Sequence, residues 1–139
     1  MDDEQLRRRA WDGIVEFQRI IGAHGPGARL AEQPAYVASA VPSIASSLIN
    51  CAVPKDGAPL APHLDDIERF FAQSPKWGAW IDPAATSDAE ALTRRGLVLD
   101  SSPVLMAAAI DDIAGLGEAT NTQPTSCLLY TSPSPRDRS

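Results

Sequence analysis

Imidazole and thiol chemistry in this 139-residue sequence is limited to His24, His63, Cys51 and Cys127. The two histidines stand far apart, and no Cys/His spacing forms a metal-ligand motif. His63 lies close to Asp65 and Asp66, but positions i, i+2 and i+3 of a helix do not share one face. A solvated helix start is therefore expected there, and no metal ligand is assigned. Cys51 falls in an apolar run without a neighbouring base, the pattern of a buried, unreactive thiol. No Gly-x-Ser-x-Gly turn is present, and Ser43, Ser46 and Ser47 read as turn and strand-entry residues. No catalytic residue is assigned on these grounds. A small hydrolase using His63 with a nearby acid is a third expectation.

A search for a phosphate-cradling loop finds one near miss. Arg19-Ile-Ile-Gly22-Ala-His24 approximates the Arg/Gln-x-x-Gly-x-Gly/Ala pyrophosphate signature. His24 stands where a small residue is needed. The glycines also follow a helix instead of preceding one, so the site offers carbonyl oxygens and the negative end of the dipole. It reads as a helix C-cap. Three other residues stand out. Trp77 and Trp80 are three apart on an expected strand and point to opposite faces, one for the core and one free to line a groove. Asn50 interrupts an apolar strand, where its amide satisfies a bulge or projects into a cleft.

The elements that would position these residues are legible in the spacing. Leu6, Ala10, Ile14, Phe17 and Ile21 predict an amphipathic helix over 3–21, with Trp11 and Val15 flanking the apolar face. Gly22, Gly25, Pro26 and Gly27 stop it. Residues 28–31, 36–41 and 46–53 read as an antiparallel meander punctuated by Pro34, Pro42 and Pro54. A helix over 62–73 carries Leu64, Ile67, Phe70 and Phe71 on one stripe. A strand over 76–81 follows, then a helix from a Ser87/Glu90 capping box to Gly96. Strands at 97–99 and 104–110 precede a linker without apolar period, 115–126. The fold class expected is α/β (α+β): a mixed, largely antiparallel sheet flanked by helices.

The end of the sequence has a different origin. Residues 127–137, CLLYTSPSPRD, are identified as a translation of the adapter used in transposase-based sequencing libraries, with Arg138 and Ser139 from the index bases that follow. On this reading residues 127–139 are a disordered artefact, and the natural chain is expected to continue past Ser126. Cys51 is then the only authentic cysteine, which fits a reducing, cytoplasmic setting. Without Arg136, Asp137 and Arg138 the counts fall from 12 basic and 18 acidic residues to 10 and 17, moving the net charge from −6 to −7. That acidity argues against a nucleic-acid partner, which needs a basic face. No apolar run is long enough to span a membrane, and the N-terminus does not read as a secretory signal.

Residues from about 10 to 113 resemble the N-terminal half of two-lobed GNAT-family N-acetyltransferases. The resemblance is carried by the Glu32-x-Pro34 strand end, the SSLINCAV segment with Asn50 and the helix LDDIERFFAQSP. KWGAWIDP, the helix from Ser87 to Gly96 and LVLDSSPVLMAAAI complete the series. The family's Leu-x-x-x-Gly turn before a Met-containing strand is matched by Leu92, Gly96, Leu97 and Met106. The resemblance implies a degenerate GNAT-like lobe over 1–113, a linker over 114–126 to a missing C-terminal acetyltransferase lobe, and an acetyl-CoA site in that missing lobe. No cofactor-binding residue is therefore assigned to this chain. It implies a small-molecule amine as acceptor in the parent protein, with Asn50, Trp77 and Trp80 as candidates for one wall of the acceptor groove. The alternative expectation is a non-catalytic small-molecule-binding or interaction domain of the same fold.

Overall fold

The computed structural model describes residues 2–105 and 125–132. The fold is mixed α+β, with helices on both faces of a six-stranded sheet. In chain order the elements are helix α1 (Asp3–His24), strands β1 (Arg29–Glu32), β2 (Tyr36–Ala40) and β3 (Cys51–Pro54). A 3-10 turn, Ala61–His63, leads into α2 (Leu64–Phe70), then β4 (Gly78–Ile81), α3 (Thr86–Arg94) and β5 (Val98–Ser101). Short strands β6 (Val104–Leu105) and β7 (Thr125–Ser126) pair with each other, and β8 (Leu128–Thr131) follows. The sheet order is β1-β2-β3-β4-β8-β5. Every neighbouring pair is antiparallel except β3 and β4, which are joined by the crossover through α2 and run parallel.

Period-two alternation in the central strands builds two cores. Tyr36, Ala38, Ala40, Ala52, Ala79 and Ile81 face α2 and α3, meeting Leu60, Leu64, Ile67, Phe71, Leu92 and Leu97. Val37, Cys51, Val53 and Trp80 face α1, meeting Val15 with Trp11 and Ile14 beside it. The alanines on the first face make room for the aromatic side chains above them. Phe71 stacks on Trp77 with ring centroids 4.9 Å apart.

Four local expectations are corrected. The buried line of α1 is Leu6, Val15, Gln18 and Gly22, whereas Phe17 is 52% exposed. The stripe chosen by hydropathy alone was rotated, because Gln18 finds partners on the sheet and Gly22 lets β1 approach. Residues 46–50 form a turn in which the Asn50 N–H donates to the Ser46 carbonyl, so only Cys51–Pro54 is strand. Helix α3 starts at Thr86 after Ala85, with no side-chain cap, so Ser87 lies inside the helix. Its other end is as expected: Gly96 at φ 91° closes a Schellman motif, with Leu97 N–H donating to Leu92 and Gly96 N–H to Thr93.

The fourth correction concerns the tail. Residues 127–132 were expected to take no part in the fold, yet Leu128–Thr131 lies inside the sheet between β4 and β5. Cys127 and Leu129 are buried against the α1-side core, and Tyr130 against the other. Cys51 and Cys127 are both buried and unbridged. Of the expected strand over 104–110, Val104 and Leu105 are strand and residues 106–110, with Met106, lie outside the described residues. So do 106–124 and 133–139 as a whole; within the expected linker, Thr125 and Ser126 pair with β6.

Candidate functional site

The carboxyl ends of the parallel pair β3/β4 mark the candidate site. The two strands share only two register pairs, Cys51 with Gly78 and Ala52 with Ala79. Beyond them the carboxyl ends of both strands run on unpaired to each other, and the crevice outside such ends is the usual ligand position in parallel arrangements. A cavity of about 390 Å³ lies here, lined by Pro54, Asp56 and Gly57 after β3, Asp82 after β4, and Arg7, Arg8, Trp11 and Val15 from α1. Glu4 and Asp12 complete the wall.

Its charges oppose an anionic ligand. Four carboxylates face two guanidiniums, and Arg7 is already paired with Asp82 and lies 3.9 Å from Glu4. The backbone and side chains therefore offer no cradle for a pyrophosphate. An indole surrounded by carboxylates favours a cationic group instead. The Trp11 Nε1–H is buried and has no hydrogen-bond partner among the described residues. Among the described residues the lining contains no Ser, Cys or His, and its reactive side chains are the four carboxylates.

The three residues singled out in the sequence are not brought together. Asn50 is fully buried, and its side chain organises loops. Its Oδ1 accepts from the Val41 N–H at 2.7 Å, and its Nδ2 donates to the Ile44 and Lys76 carbonyls at 2.7 and 3.0 Å. Both N–H donors of that amide are taken, and its Oδ1 is enclosed with the rest of the side chain. Trp80 is buried in the α1-side core. Trp77 is also buried, yet with Phe71, Leu97, Arg95 and Ser132 it borders a second cavity of about 710 Å³ on the α2 side. The sheet thus separates the two tryptophans, as the strand period requires, but neither leaves the core.

A third cavity, about 440 Å³, is lined by Tyr36, His63, Asp66 and Arg29 among others. The Tyr36 and His63 rings are 5.7 Å apart, and burial, with Asp66 adding to it, raises the Tyr36 phenol above its ordinary value. Neither thiol is activated. Burial pushes Cys51 up, and pushes Cys127 up to about 11 against an opposing effect of Arg7. Among the described residues no cluster of His, Cys, Asp or Glu could hold a metal ion.

The near-miss loop is a helix end: Gly25 caps α1 by donating to the Ile21 carbonyl, and Arg19 is held by Glu16 and Glu32. The crevice residues Arg7, Trp11, Asp56 and Asp82 carried no motif, because they come from three separate segments that only the fold unites. No family model matches this chain, and neither the curated proteins nor the solved structures give a match.

Proposed function

We propose that this chain is the N-terminal lobe of an acetyl-CoA-dependent N-acetyltransferase of the GNAT family, inactive by itself and completed by a C-terminal lobe that holds the acetyl-CoA. The observation that carries the reading is the element series α1-β1-β2-β3-α2-β4-α3-β5 around a single parallel pair, β3/β4. It is the series in which the SSLINCAV, LDDIERFFAQSP, KWGAWIDP and Leu92-to-Leu97 motifs occur. In support, the crevice at that pair is rich in carboxylates and lacks a pyrophosphate cradle, as befits a lobe that leaves acetyl-CoA to its partner. The same carboxylates suit the protonated amine of an acceptor. Edge strand β5 has all four residues exposed, including Val98 and Leu99, a surface a second lobe would cover.

The protein is proposed to work in the cytoplasm. No helix among the described residues is long and apolar enough to cross a membrane, and Cys51, the one cysteine outside the adapter-like tail, is unbridged. Reading the source DNA past Ser126 tests the proposal. An in-frame strand-loop-helix carrying Arg/Gln-x-x-Gly-x-Gly/Ala is expected, and a stop codon soon after Ser126 would overturn it. Tight acetyl-CoA binding by this chain alone would also count against it. The second reading, a non-catalytic domain that binds a small cation, is favoured by the carboxylates around the Trp11 indole, and a stop codon near residue 126 would select it.

A further inference from the structure

We propose that the gap between β4 and β5 is a strand-acceptor slot, filled in the natural protein by the first extended segment after residue 126, and that Leu128–Thr131 is a stand-in for that segment. The inference rests on reading residues 127–139 as translated adapter, and it is independent of the acetyltransferase proposal. Strands β4 and β5 do not pair with each other. Each pairs antiparallel with β8, β4 over Gly78–Ile81 and β5 over Val98, Leu99 and Ser101. Without an occupant, two rows of backbone N–H and C=O groups stand unpaired, an arrangement that recruits any extended segment.

Residues on the acceptor side chiefly meet a backbone, and hydroxyls are taken up at its end, Thr131 by Asp100 and Ser132 by Trp77. A Cβ on Gly78 would lie 2.7 Å from the Tyr130 carbonyl oxygen, so only glycine lets the incoming strand seat. The Trp77 carbonyl accepts the Ser132 N–H at 2.8 Å, and the Trp77 N–H donates to Ser132 Oγ at 3.0 Å. The apolar side-chain demands are generic. One face asks for an aliphatic residue beside Trp80 and Val15, met by Leu129. The other asks for a larger apolar ring or chain, met by Tyr130 and Leu128. Alternating apolar residues of high strand preference satisfy such a slot whatever their origin, which explains how an adapter translation comes to occupy the sheet.

A protease site placed within residues 106–124 of the full chain allows the connection to be cut after folding. A labelled synthetic peptide with the sequence of residues 125–132 is then added in excess. The expected result is replacement of the resident strand by the peptide. A peptide carrying Leu129→Val and Tyr130→Phe should enter within about threefold of the same affinity, while Leu129→Pro weakens entry by roughly tenfold or more, because it removes a ladder donor. Entry of the original sequence alone would overturn the proposal, since the slot would then be specific for it. So would departure of the strand with undiminished amide protection at Gly78–Ile81. Hydrogen exchange on the uncut chain decides the matter if cutting unfolds it. Amides of Leu129, Tyr130 and Thr131 should be protected like those of Ala79, Trp80 and Ile81, and exchange at free-peptide rates overturns the slot. If the source genome encodes CLLYTSPSPRD, the adapter premise fails separately, whatever the peptide does.

Discussion

The two faces of the sheet are sealed by different chemistry. Beneath α2 and α3 the core is apolar and aromatic, and its one buried carboxylate, Asp88, accepts the Leu60 and Ala61 N–H groups at 3.0 and 2.9 Å. Beneath α1 the core is smaller and mixed: Val37, Val53 and Trp80, two thiols, and the buried pair Gln18 and Ser39. The α1 side also opens into the crevice, where the Trp11 N–H has no partner among the described residues. The first face supplies stability by area, whereas the second trades area for polar contacts that fix where the helix sits. The carboxylate-lined crevice opens on the less apolar face, whereas the cavities beside Trp77 and Tyr36 lie on the other.

The contrast breaks most easily at Phe71, which is 2% exposed and stacked on Trp77. Phe71→Ala is expected to cost about 3–5 kcal/mol, by lost transfer energy and by the cavity left behind. The denaturation midpoint should fall with little change in slope. A loss under about 1 kcal/mol would mean that the aromatic stack does not hold the α2 face.

Asn50 comes next. Asn50→Ala removes the partners of one N–H and two carbonyls in the loops that join the faces, and about 2–3 kcal/mol is expected from those unmet groups. Asn50→Asp should be no better, because a carboxylate would confront the Ile44 and Lys76 carbonyl oxygens. Near-normal stability in both variants, read from denaturant curves, would return the side chain to the pool of ligand-binding groups.

Asn50 also shows how far a sequence can be read. Its presence in an apolar run marks it as meaningful, and Ala52 faces α2 while Cys51 and Val53 face α1, as strand alternation requires. Its partners, however, are backbone groups at positions 41, 44 and 76, which no local pattern reveals. Helix α1 teaches the same lesson from the other side. Its length and stop were legible, but Gln18 is buried only because the Leu48 carbonyl and Ser39 meet it across the fold. Hydropathy therefore favoured Phe17 over Gln18. The crevice was out of reach for a related reason: Trp11 reads as core filler until Asp56 and Asp82 are placed beside it. LLYT was set aside by origin, although its alternation was always competent for a strand.

The Gln18–Ser39 pair sharpens the comparison at smaller scale. The Gln18 Nε2 donates to the Leu48 carbonyl at 2.9 Å, and Ser39 Oγ lies 2.5 Å from Gln18 Oε1. Gln18→Met strands the Leu48 carbonyl while Ser39 keeps the Ile49 carbonyl, and Ser39→Ala strands Gln18 Oε1 and the Ile49 carbonyl; each should cost about 1–2 kcal/mol. The double variant should cost less than the two together by about 0.5–2 kcal/mol, as expected for residues in one network. Strict additivity in a double-mutant cycle would show that the pair does not act as a unit, and that the α1 face is held by area like its opposite.

The smallest effect lies at the rim of the α1 side, where Glu32 on β1 receives Arg19 at 2.6 Å and also pairs with Lys55. Hydrogen bonds from Arg19 and then Lys55 lower its carboxyl from an ordinary 4.5 to about 2. A depressed folded value means stability that is fully present above pH 4.5 and is lost as pH falls through the window toward 2. The side chain is 40% exposed, so solvent and salt screen most of that gain, and about 0.5–1 kcal/mol is expected. Glu32→Gln should remove this component between pH 5 and pH 2 while leaving neutral-pH packing intact, and added salt should shrink it further. A difference between wild type and variant that stays constant across the window would assign the contribution of Glu32 to shape and not to charge, and would make the rim of the α1 face resemble the α2 face after all.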